Sequence, residues 1–231
     1  MRITWFGHSA FKIEFGKTSI LFDPFLTGSD YTKDVSEVAK GVTHICLTHG
    51  HSDHVGDTVE IAKKSGATLI GNFEIVSWLS GQGVEKYEPM NTGGSVVLDD
   101  FTVTLVQAFH SSGEVVNGVF AQLGHPNGII IEAKGEPTVY HLGDTALFSD
   151  MKLINDLYKP KIGFVPIGDR FTMGARTAAY AVNNFFDFET VVPCHYATFG
   201  LLDQSADAFV AAVKNPKTKV VVPEKGKAFD A

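Results

Sequence analysis

The spacing of apolar residues changes along the chain between the period of a strand and the period of a helix. Near the start, apolar and polar residues alternate in short runs that glycines separate, and this predicts strands at 2–6, 10–15 and 19–22. Later stretches carry apolar residues three and four positions apart, which is typical of helices. Helices are expected at 57–65, 73–80, 148–158, 175–187 and 203–214. Further strands are expected at 41–47, 67–70, 101–109, 119–123, 128–133, 139–142, 162–166, 190–193 and 220–222.

Strand meanders and strand–helix units occur in both halves of the chain. Together they predict two β-sheets packed face to face with helices on the outside, a four-layer αββα sandwich of the α/β class. The 231 residues contain no low-complexity tract and no evident linker. We therefore expect one domain over 1–231, which is long enough to bury a large core.

Charge, apolar runs and cysteine content indicate which binding partners and which cell compartment to expect. The formal net charge of −7 argues against a broad surface for nucleic acid or for an anionic membrane. No apolar run approaches the length of a membrane span, and residues 1–5 lack the apolar core of a signal peptide. Cys46 and Cys194 lie in apolar runs and are expected to be buried, reduced thiols. These features predict a cytoplasmic protein with neither an extended nucleic acid nor a membrane as partner.

The highest density of candidate metal-binding residues lies at 48–54, directly after the apolar run at 41–47. Within seven residues it holds three histidines and one aspartate, which are His49, His51, Asp53 and His54. Neutral imidazoles and carboxylates suit zinc and related divalent ions. A loop at the end of a buried strand is a frequent place for such a site in layered α/β folds. The heptad alone offers too few donors for a closed site with two ions.

Three further donors follow apolar runs in the same way. His110 comes after the strand predicted at 101–109, Asp144 after 139–142 and His195 after 190–193. Each side chain can therefore reach a common edge of the two sheets. Singly, an isolated histidine is more often structural than ligating, so the ordered set carries the inference.

The ordered set His-x-His-x-Asp-His, isolated His, Gly-Asp-Thr and late His resembles the signature of the metallo-β-lactamase superfamily. The resemblance spans the whole chain and implies the αββα fold with two divalent metal ions. Zn²⁺ is the first expectation, with Mn²⁺, Fe or Ni²⁺ as alternatives. By the resemblance, one ion is held by His49, His51 and His110, the other by Asp53, His54 and His195, and Asp144 bridges them.

Short motifs at 7–9, 23–25 and 171–174 place the chain closer to one subgroup. They resemble small metal-dependent hydrolases related to the ascorbate-6-phosphate lactonases. That resemblance implies assembly as a homo-oligomer, whereas a small, anionic substrate is suggested by the cations near the later motifs, such as Arg170.

The function expected is hydrolysis of a small ester, lactone or phosphoester by a metal-activated water, with Asp53 orienting the nucleophile. One alternative is an RNA or cyclic-nucleotide phosphodiesterase of the same fold, although an acidic chain disfavours a long polyanion. The other is a non-enzymatic, metal-bound sensing or binding protein. Loss of a ligand would favour that alternative, but all seven positions hold competent donors.

Three residues are expected to support the site. His8 follows a strand between Gly7 and Ser9 and is predicted to act in catalysis, by binding substrate or transferring a proton, with a backbone-bonded turn residue as the alternative. Asp23 is expected to accept a hydrogen bond from a ligand histidine, or else to cap the turn before Pro24. His141 is expected to sit in the core or to hydrogen-bond near the ligands.

Four later residues are candidates for contact with substrate. Arg170 is expected either to recognise an anion or to form a salt bridge with a carboxylate such as Asp169. Phe171, Met173 and Phe199 are expected to line an apolar wall, although aromatic and methionine residues more often belong to the core.

Overall fold

The computed structural model describes residues 1–29, 31–116 and 118–231, and their backbone forms two seven-stranded sheets, one hairpin and seven helices. The strands of the first sheet are β1 (Arg2–Gly7), β2 (Ala10–Phe15), β3 (Thr18–Phe22), β4 (His44–Cys46), β5 (Thr68–Asn72), β6 (Tyr87–Met90) and β16 (Ala228–Asp230). In space they follow the order β16-β1-β2-β3-β4-β5-β6. The pairs from β16 to β3 are antiparallel and those from β3 to β6 are parallel.

The second sheet mirrors this arrangement. Its strands are β7 (Ser95–Val97), β8 (Phe101–Gln107), β11 (Asn127–Ala133), β12 (Val139–His141), β13 (Ile162–Pro166), β14 (Thr190–Cys194) and β15 (Lys219–Val220). Their spatial order is β15-β14-β13-β12-β11-β8-β7, and the pairs from β12 to β15 are parallel. The remaining strands, β9 (Gly113–Val116) and β10 (Val119–Gln122), pair with each other as a separate hairpin.

Helices pack on the sheets, and most of them cover the outer faces. They are α1 (Ser36–Ala39), α2 (Ser52–Val55), α3 (Thr58–Ser65), α4 (Phe73–Ser80), α5 (Met151–Tyr158), α6 (Ala175–Asn184) and α7 (Asp207–Ala212). In the described residues, no helix is both long and apolar enough to cross a membrane.

Alternation along the strands assigns each apolar side chain to one of two core layers. Leu21, Ile45 and Leu69 occupy one register row of the first sheet and pack with the apolar residues of α1, α3 and α4. The neighbouring row, which includes Phe22 and Ile70, faces the second sheet instead. Successive side chains of a strand point to opposite faces, so every strand in the middle of the sheet contributes to both layers.

The two sheets meet through a largely aromatic and aliphatic core. The rings of Phe11 in β2 and Phe164 in β13 stack with their centroids 3.9 Å apart. On the far face of the second sheet, Ala178 and Val182 of α6 are completely buried. The layers therefore run helix, sheet, sheet, helix, which confirms the predicted αββα fold.

Local sequence signals predicted several element ends. The Asn72 side chain accepts a hydrogen bond from the Ile75 N–H at 3.0 Å and so caps α4. Gly66 ends α3 in a left-handed conformation with φ of 70°, which glycine adopts without steric cost. The sequence did not predict β6, because the proline at position 89 weakens the strand pattern there. In the structure β6 lies at the edge of its sheet, where proline is tolerated.

Other expected bounds are corrected by tertiary contacts. The strand predicted at 101–109 ends at Gln107, because the next residues bond to the Asp144 loop: Phe109 N–H donates to Thr145 Oγ1 at 3.0 Å. The helix expected at 203–214 is shorter, since Asp203 N–H donates to Gly168 O at 2.9 Å and holds residue 203 in a loop. The strand expected at 119–123 forms β10, outside both large sheets.

Candidate metal centre

The parallel strands of both sheets end at one edge, and seven donor side chains meet there. They follow β4, β8, β12 and β14 in the chain, and are His49, His51, Asp53, His54, His110, Asp144 and His195. The sequence placed the heptad at 48–54 on a loop. In the structure its second half forms the helical turn α2, and this turn carries Asp53 and His54.

Three of the histidines form a first group. One ring nitrogen from each of His49, His51 and His110 lies within 4.8 Å of the other two. Nε2 of His49 is 3.0 Å from Nδ1 of His51, and the His110 ring stands nearly perpendicular to both neighbouring rings. The other nitrogen of His51 faces the Ser111 hydroxyl at 3.3 Å. Three imidazoles that converge in this way match the nitrogen ligands of a single divalent ion.

A second group lies beside the first. It contains one donor atom from each of His8, Asp53, His54 and His195, again within 4.8 Å of one another. Oδ2 of Asp53 is 3.8 Å from Nε2 of His195. The side chains of His8, His54 and His195 are almost fully buried, whereas the Asp53 side chain is 24% exposed. Asp53 therefore faces the opening of the centre.

Asp144 lies between the two groups. Its Oδ2 is 3.9 Å from Nε2 of His49 and 3.6 Å from Nε2 of His110, both in the first group. The same carboxylate reaches the second group, with Oδ2 2.9 Å from Nε2 of His195 and Oδ1 3.4 Å from Nε2 of His54. One carboxylate thus contacts imidazoles of both groups, which a bridging ligand requires.

Burial and neighbouring charges move the pKa values of several donors away from their ordinary values. Burial and the nearby His54 hold the pKa of His49 well below its ordinary value, so this imidazole is neutral at neutral pH. Burial opposes ionisation of Asp144, but its interactions with the nearby His195 and His54 imidazoles outweigh burial and hold the carboxyl pKa well below its ordinary value. Burial likewise opposes a charge on His54, yet the carboxylates of Asp144 and Asp23 raise its pKa well above the ordinary value.

Unpaired buried atoms provide a direct test of whether a metal fits. Nε2 of His54 and Oδ1 of Asp144 are buried and have no hydrogen-bond partner within the described part of the chain. Such orphaned atoms are costly unless a ligand satisfies them. Both belong to the donor groups described above, and nitrogen and carboxylate donors suit divalent ions of the zinc type. The residues present fit the predicted group.

Asp23 contacts the ring nitrogen of His54 that faces away from the donor groups. Its Oδ2 is 2.7 Å from Nδ1 of His54, which directs Nε2 of that ring towards Asp144. Thr48 fixes the carboxylate in turn, donating to Oδ1 from its N–H at 2.9 Å and to Oδ2 from its hydroxyl at 2.6 Å. A carboxylate on the far nitrogen of a ligand imidazole sets the ring's orientation and tautomer.

His8 lies inside the centre and not at its mouth. Its side chain is completely buried, with Nε2 3.1 Å from Oδ2 of Asp53 and Nδ1 3.0 Å from Oγ1 of Thr198. Burial lowers the pKa of His8 to about 4, although the hydrogen bond with Asp53 acts in the opposite direction. Because the ring is enclosed and both nitrogens have partners, direct binding of substrate by His8 does not fit this geometry.

His141 contacts the main chain and does not contact a ligand imidazole. Its Nε2 lies 3.1 Å from Ser9 O, and its Nδ1 accepts from Gly143 N–H at 3.0 Å. Nε2 is also 4.0 Å from the Asp23 carboxylate. The buried ring therefore ties the turn that carries His8 to the loop that carries Asp144.

The four candidate substrate contacts separate in the structure. Phe199 is 38% exposed, and its ring centroid is 5.4 Å from that of His8, so it lies near the second group. Phe171 is half-exposed. Met173 is only 2% exposed and packs in the main core, which corrects its expected place on a pocket wall. Arg170 is exposed with φ of 36°, and no carboxylate among the described residues pairs with it.

Two serines and a threonine at the centre were missed by the sequence reasoning. Ser112 accepts from Gly50 N–H at 3.0 Å and donates to Leu123 O at 2.7 Å, so it joins the heptad to the hairpin β9–β10. Ser111 and Ser112 directly follow His110, and that proximity was an available signal. Thr198 had none, because its contact with His8 joins residues 190 positions apart.

The fold and the paired clusters define a hydrolase of the metallo-β-lactamase type. The profile of the Beta-lactamase superfamily domain matches residues 2–195, and the chain belongs to that superfamily. A relative from Methylocella silvestris, described as a UPF0173 metal-dependent hydrolase, is 55% identical over 98% of this chain and 98% of its own length.

Solved structures agree with this placement. Igni18, a metallo hydrolase from the hyperthermophilic archaeon Ignicoccus hospitalis, gives a TM-score of 0.88 with 34% identity over 100% of this chain and 98% of that chain. The metallo-beta-lactamase fold protein YhfI from Bacillus subtilis gives a TM-score of 0.75 with 15% identity over 99% of each chain and shares the fold. The predicted superfamily and the predicted class of metal-dependent hydrolase are confirmed.

Proposed function

We propose that this hydrolase holds two divalent ions, with Zn²⁺ the best match to its donors, and cleaves a small ester, lactone or phosphoester. The observation that carries the proposal is the position of Asp144, whose carboxylate contacts imidazoles of both donor groups. A site for one ion would need only one of these groups.

The donor groups divide the ligands between the ions. His49, His51 and His110 would hold one ion, Asp53, His54 and His195 would hold the other, and Asp144 would serve both. When bound, the pair of ions lowers the pKa of a water and polarises the carbonyl or phosphoryl oxygen of the substrate.

The chain's own contribution is to position these groups and to limit access of water. Asp53 is the proposed orienter of the attacking water, because its side chain is 24% exposed while that of Asp144 is 3% exposed. His49 and His54 are completely buried, which leaves access from the side of Asp53, His51 and His110. A carboxylate at the opening can accept a hydrogen bond from the water and fix its direction of attack.

The substrate we infer is a small molecule that carries negative charge. Arg170, exposed and without a carboxylate partner among the described residues, supports an anionic group on the substrate. The short motifs at 7–9, 23–25 and 171–174 support a relationship to the ascorbate-6-phosphate lactonases, and with it assembly as a homo-oligomer. The net charge of −7 supports a substrate other than extended nucleic acid. We also propose that the reaction takes place in the cytoplasm.

The test combines elemental analysis with a substrate panel. Purified protein reconstituted with Zn²⁺ should contain two ions per chain and turn over at least one member of a panel of phosphodiesters, lactones, thioesters and β-lactams. Asp53→Ala should abolish that turnover, whereas Asp34→Ala, which removes an exposed carboxylate elsewhere, should not change it. A fully metallated protein that is inert to every class would contradict the proposal.

A further inference from the structure

We propose that His8 is a positioning residue for Asp53, and that Thr198 fixes the His8 tautomer that this task requires. The inference rests on the proposed function, because it concerns a carboxylate that we assign to the second ion. It differs from direct catalysis by His8, since the ring acts through Asp53 and touches no substrate.

The three side chains form a continuous hydrogen-bonded row. Nε2 of His8 lies 3.1 Å from Oδ2 of Asp53, and Nδ1 lies 3.0 Å from Oγ1 of Thr198. The rings of Phe25 and Phe199 meet the His8 ring edge to face, with centroids 5.6 and 5.4 Å away. The imidazole therefore has little freedom to turn away from the carboxylate.

The chemistry of the partners decides which nitrogen carries the proton. A neutral imidazole has one N–H donor and one acceptor nitrogen, and an ionised carboxylate only accepts. Nε2 of His8 must therefore carry the hydrogen and donate to Asp53, which leaves Nδ1 to accept from the Thr198 hydroxyl. The competing acceptor for that hydroxyl, Tyr196 O, is farther away at 3.3 Å. Loss of the Thr198 hydroxyl would leave Nδ1 without its donor and weaken the preference for the required tautomer.

The backbone at His8 is held independently of its ring. Its carbonyl accepts from the Trp5 indole N–H at 3.0 Å, and its φ of 49° lies in the left-handed region. A side-chain substitution at this position leaves that main-chain bond in place. Asparagine tolerates left-handed backbone better than most residues, which makes it a useful probe.

A competing role for His8 is direct ligation of the second ion, because its Nε2 lies within 4.8 Å of donor atoms of Asp53, His54 and His195. The pattern of satisfied atoms favours positioning. Nε2 of His8 already has a partner, whereas Nε2 of His54 has none within the described residues. Ligation by His8 is an outcome that the experiment separates.

The experiment compares two pairs of variants. His8→Gln can place an amide N–H near the position of Nε2, whereas His8→Asn tolerates the backbone but is too short to reach Asp53. Thr198→Val removes the hydroxyl at nearly constant shape, and Thr198→Ser restores it. Thr218→Val is the matched control, because its hydroxyl donates to Phe188 O at 2.8 Å at the opposite end of β14.

The readouts are Zn²⁺ stoichiometry, Zn²⁺ affinity by chelator competition, and kcat and KM on a substrate from the panel. His8→Asn and Thr198→Val should retain two ions at saturation and lose about 10- to 100-fold in affinity for the weaker ion or in kcat. His8→Gln and Thr198→Ser should recover most of that loss. The control should match the wild type.

Two results would overturn the inference. One is wild-type affinity and kcat in both His8→Asn and Thr198→Val. The other is a stoichiometry of one ion in both His8 variants at saturating Zn²⁺, which would make His8 a ligand. The proposed function is tested separately, by the Zn²⁺ content of the wild-type protein and its turnover of the substrate panel. If the panel shows no turnover, the ratio of variant to wild-type Zn²⁺ affinity still decides the role of His8.

Discussion

The main-chain N–H of His195 donates a hydrogen bond to the main-chain carbonyl of His8 at 3.0 Å. Both residues adopt left-handed backbone, with φ of 56° and 49°, and their ring centroids are 4.1 Å apart. Non-glycine residues in this region carry a conformational cost that the surrounding structure must offset. The contact joins the turn after β1 to the end of β14, so residues far apart in the chain set the geometry of the second donor group together.

Gly168 should be intolerant of any side chain because it packs directly against the main-chain carbonyl of His195. A Cβ at position 168 would lie 1.9 Å from His195 O, so alanine would displace the backbone of His195. Gly168→Ala should lower the free energy of unfolding by about 1–3 kcal/mol or more, and it should weaken Zn²⁺ binding. Chemical denaturation and chelator competition measure the two effects. Gly200→Ala is the control, since its Cβ would meet nothing within 4 Å, and equal behaviour of the two variants would contradict the prediction.

Asp23→Asn tests the carboxylate behind His54. The amide keeps the size of the side chain and tolerates the φ of 40°, but it cannot supply the negative charge that orients Nδ1 of His54. Removal of such a partner typically costs about 10- to 100-fold in metal affinity or activity. Elemental analysis after dialysis against a weak chelator would detect the loss. Asp34→Asn changes an exposed carboxylate that bonds Ser36 N–H, and it should leave metal content unchanged.

Removal of metal should destabilise the protein as well as inactivate it. The donor atoms at the centre are packed within 4.8 Å of one another in each group, and a bound cation offsets the cost of burying them. Ligand binding stabilises the folded state by about 2.7 kcal/mol when free ligand is 100 times its Kd. Thermal unfolding with and without a chelator should therefore show a lower Tm for the stripped protein, and added Zn²⁺ should restore it. An unchanged Tm on chelation would count against a metal at this site.

Cys46 should resist alkylation in the folded protein. Its side chain is completely buried, and burial raises the pKa of the thiol well above its ordinary value. Thiolate is the reactive form, so the labelling rate of native protein should show no rise as pH passes through about 8.5, where a free cysteine ionises. Mass spectrometry after iodoacetamide treatment at several pH values measures this. Denaturant should expose the thiol and restore the ordinary pH dependence, and rapid labelling of native protein at pH 8 would contradict the expected burial.

The sequence predicted the layers and the donors because both depend on local pattern. Strand alternation placed Phe22 and Leu21 on opposite faces without any knowledge of the partner layers. His110, Asp144 and His195 each followed an apolar run, and the ends of neighbouring strands meet at one edge of a sheet.

Contacts between distant segments account for what the sequence did not predict. Nothing local distinguishes Thr198 from any other loop threonine, because its partner His8 belongs to a different strand end. Met173 looked like a pocket residue because of the motif around it, but its main-chain N–H bonds Thr145 O at 3.0 Å and draws the side chain into the core. Tertiary hydrogen bonds likewise shortened β8 and α7 relative to their sequence patterns.

The pairing of β1 with β16 has a consequence for when the protein can acquire metal. Ile3 lies opposite Phe229, so the strand that leads to His8 gains its outer neighbour from β16, the last strand among the described residues. His195 also comes late in the chain, because β14 follows every other strand that supplies a ligand. Contacts of such long sequence separation form slowly. During synthesis, the second donor group therefore lacks His195 until β14 has been made.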